Sequence, residues 1–287
     1  MKNEQELIRS AHPIDGAVRE QIMRALRDIE RSQAVTVLFA CESGSRGWGF
    51  ASPDSDYDVR FIYVNRLPWY LAVSPRRDVI EVPISGDLDI NGWDLRKALG
   101  LMRESNPTLL EWLRSPVVYR EDEQTMPRFR SLSEAVFSNA RGWHHYSSMA
   151  KKNFREHLQA EEVRYKKYLY VLRPLLAARW IRSQVGVPPM RFAELAQRTL
   201  DAARDAALID EINALLEVKM RAGEAATSPR WPRIHAFIEA ELAANAAQPV
   251  VPLPQTDASG LDQLFCETVV RLDGAAAGML QTSKSGS

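Results

Sequence analysis

The amino-acid sequence predicts an α+β protein, with strands and helices together in the first 122 residues and an all-helical C-terminal part behind it. Two observations carry this. Short apolar or alternating runs bounded by Gly, Ser and Pro occur only before about residue 123, and helical spacing of apolar residues prevails after it. A third sets the site: the Gly/Ser-rich stretch Glu42–Ser52 interrupts the strands early.

The elements follow in order. Ile14–Arg31 has Val18, Ile22, Ala25 and Ile29 at helical spacing. Ala34–Cys41 is short, apolar and β-branched, the pattern of a buried strand. Asp56–Val64 alternates and predicts a second strand. Val79–Ile84 and Asp87–Gly92 predict two more around the turn signal Ser85-Gly86. Leu95, Ala98, Leu99 and Met102 mark a helix, and Pro107 opens another after Ser105-Asn106. Long helical patterns then cover 128–158, 162–183, 191–220, 231–246 and 259–272, with Pro174 expected to kink or end a helix. The domains predicted are 1–122, 123–280 and a small, polar, disordered tail, 281–287.

Composition bounds the function. With 287 residues and 45% hydrophobic content the chain can bury a real core. Lys+Arg and Asp+Glu are both 37, and a zero net charge argues against coating long nucleic acid by bulk electrostatics while leaving room for one basic face. Cys41 and Cys266 form neither a metal spacing nor a disulfide framework. Met1–His12 is charged without an apolar core segment, and no apolar run approaches the roughly 18 residues of a membrane span, so a reducing cytoplasm is the expectation.

The chemistry concentrates between residues 43 and 91. Gly44-Ser45 turns the chain after a buried strand. Glycine lets backbone approach a ligand, Ser45 adds a hydroxyl and Arg46 a charged fork. Asp56 and Asp58 lie two apart in a strand and so share a face, with Arg60 beside them, while Tyr57, Val59 and Phe61 face the core. Two such carboxylates repel by roughly 2–3 kcal/mol at an effective dielectric of 20, a cost that an ion pair to Arg60 or a bound Mg²⁺ relieves.

Gly44-Ser45, a spacer of ten residues and Asp56-X-Asp58-Val59 together resemble the signature of the DNA polymerase β nucleotidyltransferase superfamily. The segments ESGSRGWGFASPDSDYDVRFIY, DLDINGWDLRKAL, SNPTLLEWLRSPVVY and KKYLYVLRPLLAARWI are similar to one branch of it, the RNA repair pathway DNA polymerase beta family. The resemblance implies a polymerase-β-like catalytic α/β domain with a mixed sheet and a third carboxylate on a later strand. Asp87, Asp89 and Asn91 share one face there. Asp89, mid-strand between Leu88 and Ile90, is the first choice; Asp87 lies nearer a turn, and Asp94 opens a helix as a cap.

The resemblance also implies a mechanism. Asp56, Asp58 and Asp89 hold two Mg²⁺ or Mn²⁺ ions, and a nucleoside triphosphate lies on Gly44, Ser45 and Arg46. An acceptor hydroxyl loses its proton near Asp89, and pyrophosphate leaves. From Arg141 to Arg182 ten Lys/Arg face three Glu, a basic excess that suits the triphosphate or RNA as an acceptor. Lys166, Lys167 and Tyr170 are triphosphate ligands by analogy. Arg173 joins them as a candidate because it lies seven residues from Lys166 on a similar helix angle.

Other conspicuous residues read as structural. His144 and His145 are adjacent and cannot share a helix face; Trp93, Trp112, Trp143 and Trp180 fall in apolar patterns. No Ser-His-Asp order, Walker loop or dinucleotide fingerprint is present. The alternative to an active transferase is a catalytically inactive nucleotide- or RNA-binding regulatory or adaptor protein.

Overall fold

The computed structural model describes residues 13–84, 86–183, 186–221, 227–247, 250 and 258–284. Met1–His12, Ser85 of the predicted turn and Ser285–Ser287 of the predicted tail lie outside them.

Helix α1 (Gly16–Gln33) starts where Asp15 accepts the Ala17 N–H at 2.8 Å, and it buries Ile22, Leu26 and Ile29. Ala34, in the left-handed region at φ 53°, ends it and turns the chain into β1 (Thr36–Glu42), almost wholly buried. The short helix α2 (Gly44–Trp48) follows at once, then β2 (Tyr57–Val64), the single turn α3 (Leu67–Tyr70), β3 (Val79–Glu81) and β4 (Leu88–Asp94). Asp94 caps α4 (Leu95–Arg103) by accepting the Arg96 N–H at 2.8 Å, and Asn106 caps α5 (Pro107–Leu113) by accepting from Leu109 at 3.1 Å. Strand β5 (Val118–Glu121) completes the sheet.

The sheet order is β3-β4-β2-β1-β5. Strands β2 and β4 run parallel and all other neighbours antiparallel, so the predicted mixed sheet is present. The sequence reading misses β5 because an edge strand of four residues, ending Arg120-Glu121, lacks an apolar pattern of its own.

The second part contains α6 (Met126–Ala135), α7 (Asn139–His157), β6 (Glu162–Arg164), α8 (Tyr165–Arg182), α9 (Phe192–Thr199), α10 (Ala206–Arg221), β7 (Thr227–Pro229), α11 (Pro232–Ala247) and α12 (Ser259–Lys284). It is not all-helical: β6 and β7 pair antiparallel, and three-residue strands are too short to show periodicity. Two predicted helices are each broken in two. Ser138 begins α7 by accepting from Arg141, and Asp201 accepts the Ala203 and Arg204 N–H groups in the turn before α10. Helix α8 runs unbroken through Pro174. Helix α12 continues to Lys284, four residues into the stretch read as tail.

Three cores hold the molecule. One lies between α1 and the sheet, through Ile22, Leu26, Val37 and Phe61. On the other side of the sheet, Leu38 and Ile62 pack with α4, α5, Met126 and Phe129 of α6, and Leu261, Leu264 and Val269 of α12. The third is built around α8 and reaches Phe50 of the α2–β2 loop. A boundary at residue 122 therefore cuts through a shared core. Among the described residues no helix is long and apolar enough to cross a membrane.

Candidate active site

The sheet brings two carboxylates together. Asp58 and Asp89 are register partners in the parallel β2–β4 pair, so their side chains leave the same face of adjacent strands. One nitrogen of Arg60 binds both, at 2.9 Å from Asp58 Oδ1 and 2.7 Å from Asp89 Oδ2. Its second terminal nitrogen donates to the Val59 and Asp89 carbonyls, each at 3.1 Å. The carboxylates keep 28% and 33% side-chain exposure, so the pair reaches solvent.

Gly44 fits against this pair as only glycine can. It sits at φ +56°, and a Cβ there would lie 1.9 Å from Asp58 Oδ2. The Ser43 N–H donates to the Asp58 carbonyl at 2.8 Å, which fastens the start of α2 to β2. Arg46 lies with its guanidinium 4.0 Å from the Tyr57 ring and donates to the Ser55 and Asp56 carbonyls at 2.7 and 3.2 Å. It shapes the loop that carries Asp56. Asp56 itself lies just before β2 and is exposed, so the predicted strand starts one residue late. Asp87 is exposed in the turn before β4, and Asp94 is a buried helix cap that also accepts from Tyr70 and Asn65.

Beneath the pair lies a group that sequence reading misses. Glu42 ends β1 fully buried, accepts the Asp58 N–H at 2.8 Å and accepts the Tyr119 hydroxyl at 2.5 Å. Burial pushes its carboxyl up to about 7, against the opposing pull of these two hydrogen bonds. A lone acid at a strand end carries no sequence signal of burial, because the residue that satisfies it is 77 positions away. Lys219 is equally unheralded. It comes from α10, is buried, and donates to Ser52 and Ser55 at 3.1 and 3.2 Å, tying the α2–β2 loop to the helical part.

Helix α8 lies against α2. The Tyr170 ring meets Trp48 edge-on at 5.6 Å, and Lys167 lies 5.3 Å from the Tyr170 ring and 3.2 Å from His157 Nε2. Partial burial and the charges of Lys166 and Arg164 hold the Lys167 ammonium below its ordinary value, and an anion would relieve that crowding. Arg173 belongs to the packing instead. It is 5% exposed, pairs with Glu111 at 2.5 Å and stacks 4.5 Å from the Trp48 ring. Its guanidinium is enclosed between Glu111 and Trp48, a setting that the helix angle behind its choice as a nucleotide ligand did not indicate. His144 and His145 are exposed, and Trp93 stacks on Trp112 at 3.9 Å, in keeping with the packing role read for these two tryptophans.

Asp58 and Asp89 offer the hard oxygen donors a divalent cation takes, already converging on one point, and so fit a metal ion. Asp56 stands apart: among the described residues no group of three or more His, Cys, Asp or Glu is assembled around a metal position.

A YcgL protein of Bacillus subtilis (strain 168), described as uncharacterized, is 43% identical over 254 residues, which cover 88% of this chain and 96% of its own length. A crystal structure of a nucleotidyltransferase-like protein from Exiguobacterium sibiricum 255-15 aligns at 15% identity and a TM-score of 0.32, covering 78% of this chain and 75% of that one. The match to a protein family spans residues 18–267, from α1 into α12 and across the whole acidic site. The chain belongs to the RNA repair pathway DNA polymerase beta family.

Proposed function

We propose that this chain is a metal-dependent nucleotidyltransferase that moves a nucleoside monophosphate from a triphosphate to an acceptor hydroxyl, with RNA as the acceptor class. One observation carries the reading: Asp58 and Asp89 face each other in register on parallel strands, with Gly44 packed against the Asp58 carboxylate.

Asp58 and Asp89 would hold Mg²⁺ or Mn²⁺, and the exposed Asp56, which stands apart from the pair, would have to swing toward them to serve a second ion. When bound, such ions neutralise charge on the entering and leaving oxygens of an in-line displacement. The chain's own groups do the positioning. Asp89 accepts the proton of the acceptor hydroxyl. The backbone at Gly44 and the Ser45 hydroxyl receive the phosphates. Arg46 holds the Asp56 loop in place and adds positive charge nearby. Lys166, Lys167 and Tyr170 approach from α8, where crowded positive charge favours a polyanion.

The test is label transfer from each of four α-labelled triphosphates with Mg²⁺ or Mn²⁺ and an RNA acceptor panel. Asp58→Asn and Asp89→Asn are expected to lower transfer at least about hundredfold while the far-UV circular dichroism stays that of wild type. Labelled product that persists undiminished in both variants sinks the assignment. The Arg60 bridge gives a second reading its one support: a pair already neutralised by a guanidinium also suits an inert nucleotide- or RNA-binding adaptor. Wild type that binds RNA or triphosphate without any transfer is the signature of that reading.

A further inference from the structure

The acidic pair already contains a cation, supplied by its own strand. Arg60 lies two residues beyond Asp58 on β2 and therefore on the same face. A single nitrogen of its guanidinium touches one oxygen of each carboxylate, at 2.9 and 2.7 Å. That nitrogen stands where a bridging divalent ion would have to stand, since an ion sharing those two oxygens must lie between them. Arg60 is not locked there by enclosure: its side chain keeps 18% exposure, and an arginine stem has the length and torsional freedom to leave.

We propose that Arg60 is the resident counter-ion of the site, and that a divalent ion binds by displacing its guanidinium from Asp58 and Asp89. The inference rests on the reading of this pair as a cation site. Its physical content is competition. With Arg60 in place the two carboxylates carry one net negative charge, are held facing one nitrogen, and do not repel one another apart. With Arg60 swung out they carry two, and the ion supplies what the guanidinium gave up. The arginine thus preorganises the pair and at the same time weakens its affinity for metal, because each binding event first breaks its hydrogen bonds to the two carboxylates and to the Val59 and Asp89 carbonyls.

The experiment is Mn²⁺ binding, followed by the electron paramagnetic resonance of the free ion, on the full chain as wild type, Arg60→Met and Asp58→Asn/Asp89→Asn. Arg60→Met is expected to bind Mn²⁺ at least about tenfold more tightly than wild type, since the loss of even one of the competing charge-assisted bonds is worth that much. The double asparagine variant is expected to lose this binding. Thermal melting supplies a second readout that does not depend on catalysis. In EDTA, Arg60→Met melts below wild type because two facing carboxylates lose the cation they share, and Mn²⁺ raises its melting temperature more than it raises that of wild type. Equal or weaker Mn²⁺ affinity in a folded Arg60→Met protein overturns the proposal. So does an Arg60→Met protein that stays unfolded at saturating Mn²⁺, which would make the guanidinium a structural group no ion replaces. If neither wild type nor Arg60→Met binds Mn²⁺ at this pair, the cation-site reading falls together with the proposal. If Arg60→Met binds more tightly and no protein transfers label, the competition stands and only the transfer reading falls.

Discussion

Gly44 and the Asp58 carboxylate form one steric unit, and it is the most exacting contact in the site. A methyl group at Gly44 would have to occupy space 1.9 Å from Asp58 Oδ2, at a φ of +56° that side chains with a Cβ adopt at a cost. Gly44→Ala is expected to move Asp58 off its register with Asp89 and to lower label transfer about hundredfold, with a stability loss of about 1–2 kcal/mol in urea denaturation. Wild-type transfer in that variant would show that the Asp58 carboxylate need not sit where this glycine allows it. Glu42 completes the support from beneath, since it fixes the Asp58 backbone N–H and leaves the Asp58 side chain to the acidic pair. The Cys41 thiol beside it is fully buried and pushed up by that burial, so it is inert as a nucleophile.

At the scale of elements, α8 ties the helical part to the site. Its buried face carries Arg173 into a pair with Glu111 of α5, to which Tyr146 of α7 also donates at 3.2 Å. Three elements thereby share one buried charge pair, and the same arginine stacks on Trp48 at the end of α2. The more open face of α8 carries Lys166, Lys167 and Tyr170. Helix α11 packs nearby through His235, whose ring lies 5.5 Å from Phe154 and 6.4 Å from Tyr168. Burial, then the Arg230 charge, holds the His235 imidazole below its ordinary 6.5. A depressed histidine contributes stability that is complete above its unfolded value and is lost as pH falls through the folded one, because the unfolded chain takes up a proton the folded chain refuses. Between about pH 7 and about pH 5 wild type is therefore expected to lose more melting temperature than His235→Gln. Glu42, raised by burial, works in the opposite sense over that range, but it is common to both proteins and cancels in the difference. Parallel melting curves across this range would show that His235 does not sense its burial.

The whole molecule is closed by its last helix. Leu261, Leu264 and Val269 of α12 fill the core that Leu38 and Ile62 of the sheet share with α4, α5 and α6. Arg271 of α12 also reaches Asp122 and Thr125, each at 2.8 Å. A chain ending before Ser259 forfeits burial of about 1.5–3 kcal/mol for each of the three apolar side chains, which is comparable to the net stability of a domain of this kind. It is expected to bind a hydrophobic dye and to melt at least about 10 °C below the full chain. A truncated protein that melts with the full chain would show that α12 is an accessory. Lys219 acts at the same scale, since it joins α10 to Ser52 and Ser55 on the loop leading to Asp56.

The sequence alone determined the parts whose signal is local. Period-two alternation put Asp58 and Arg60 on one face of a strand, and Asp89 stood out from Asp87 and Asp94 because it lay mid-strand between Leu88 and Ile90. The Gly-Ser turn and the helix caps at Asp94 and Asn106 followed from patterns within a few residues, while the mixed sheet came only with the family resemblance. Tertiary structure alone decided which charges are neutralised and by what. It paired Asp58 with Asp89 across a parallel ladder and set Arg60 between them. It also buried Arg173 on Glu111, seated Glu42 beneath Asp58, and folded α12 back onto the sheet. A side chain's period fixes only the face it takes on its own element. What lies opposite that face, and therefore whether a charge meets solvent, a partner or a ligand, depends on contacts between residues far apart in the chain, on which the spacing of neighbours is silent.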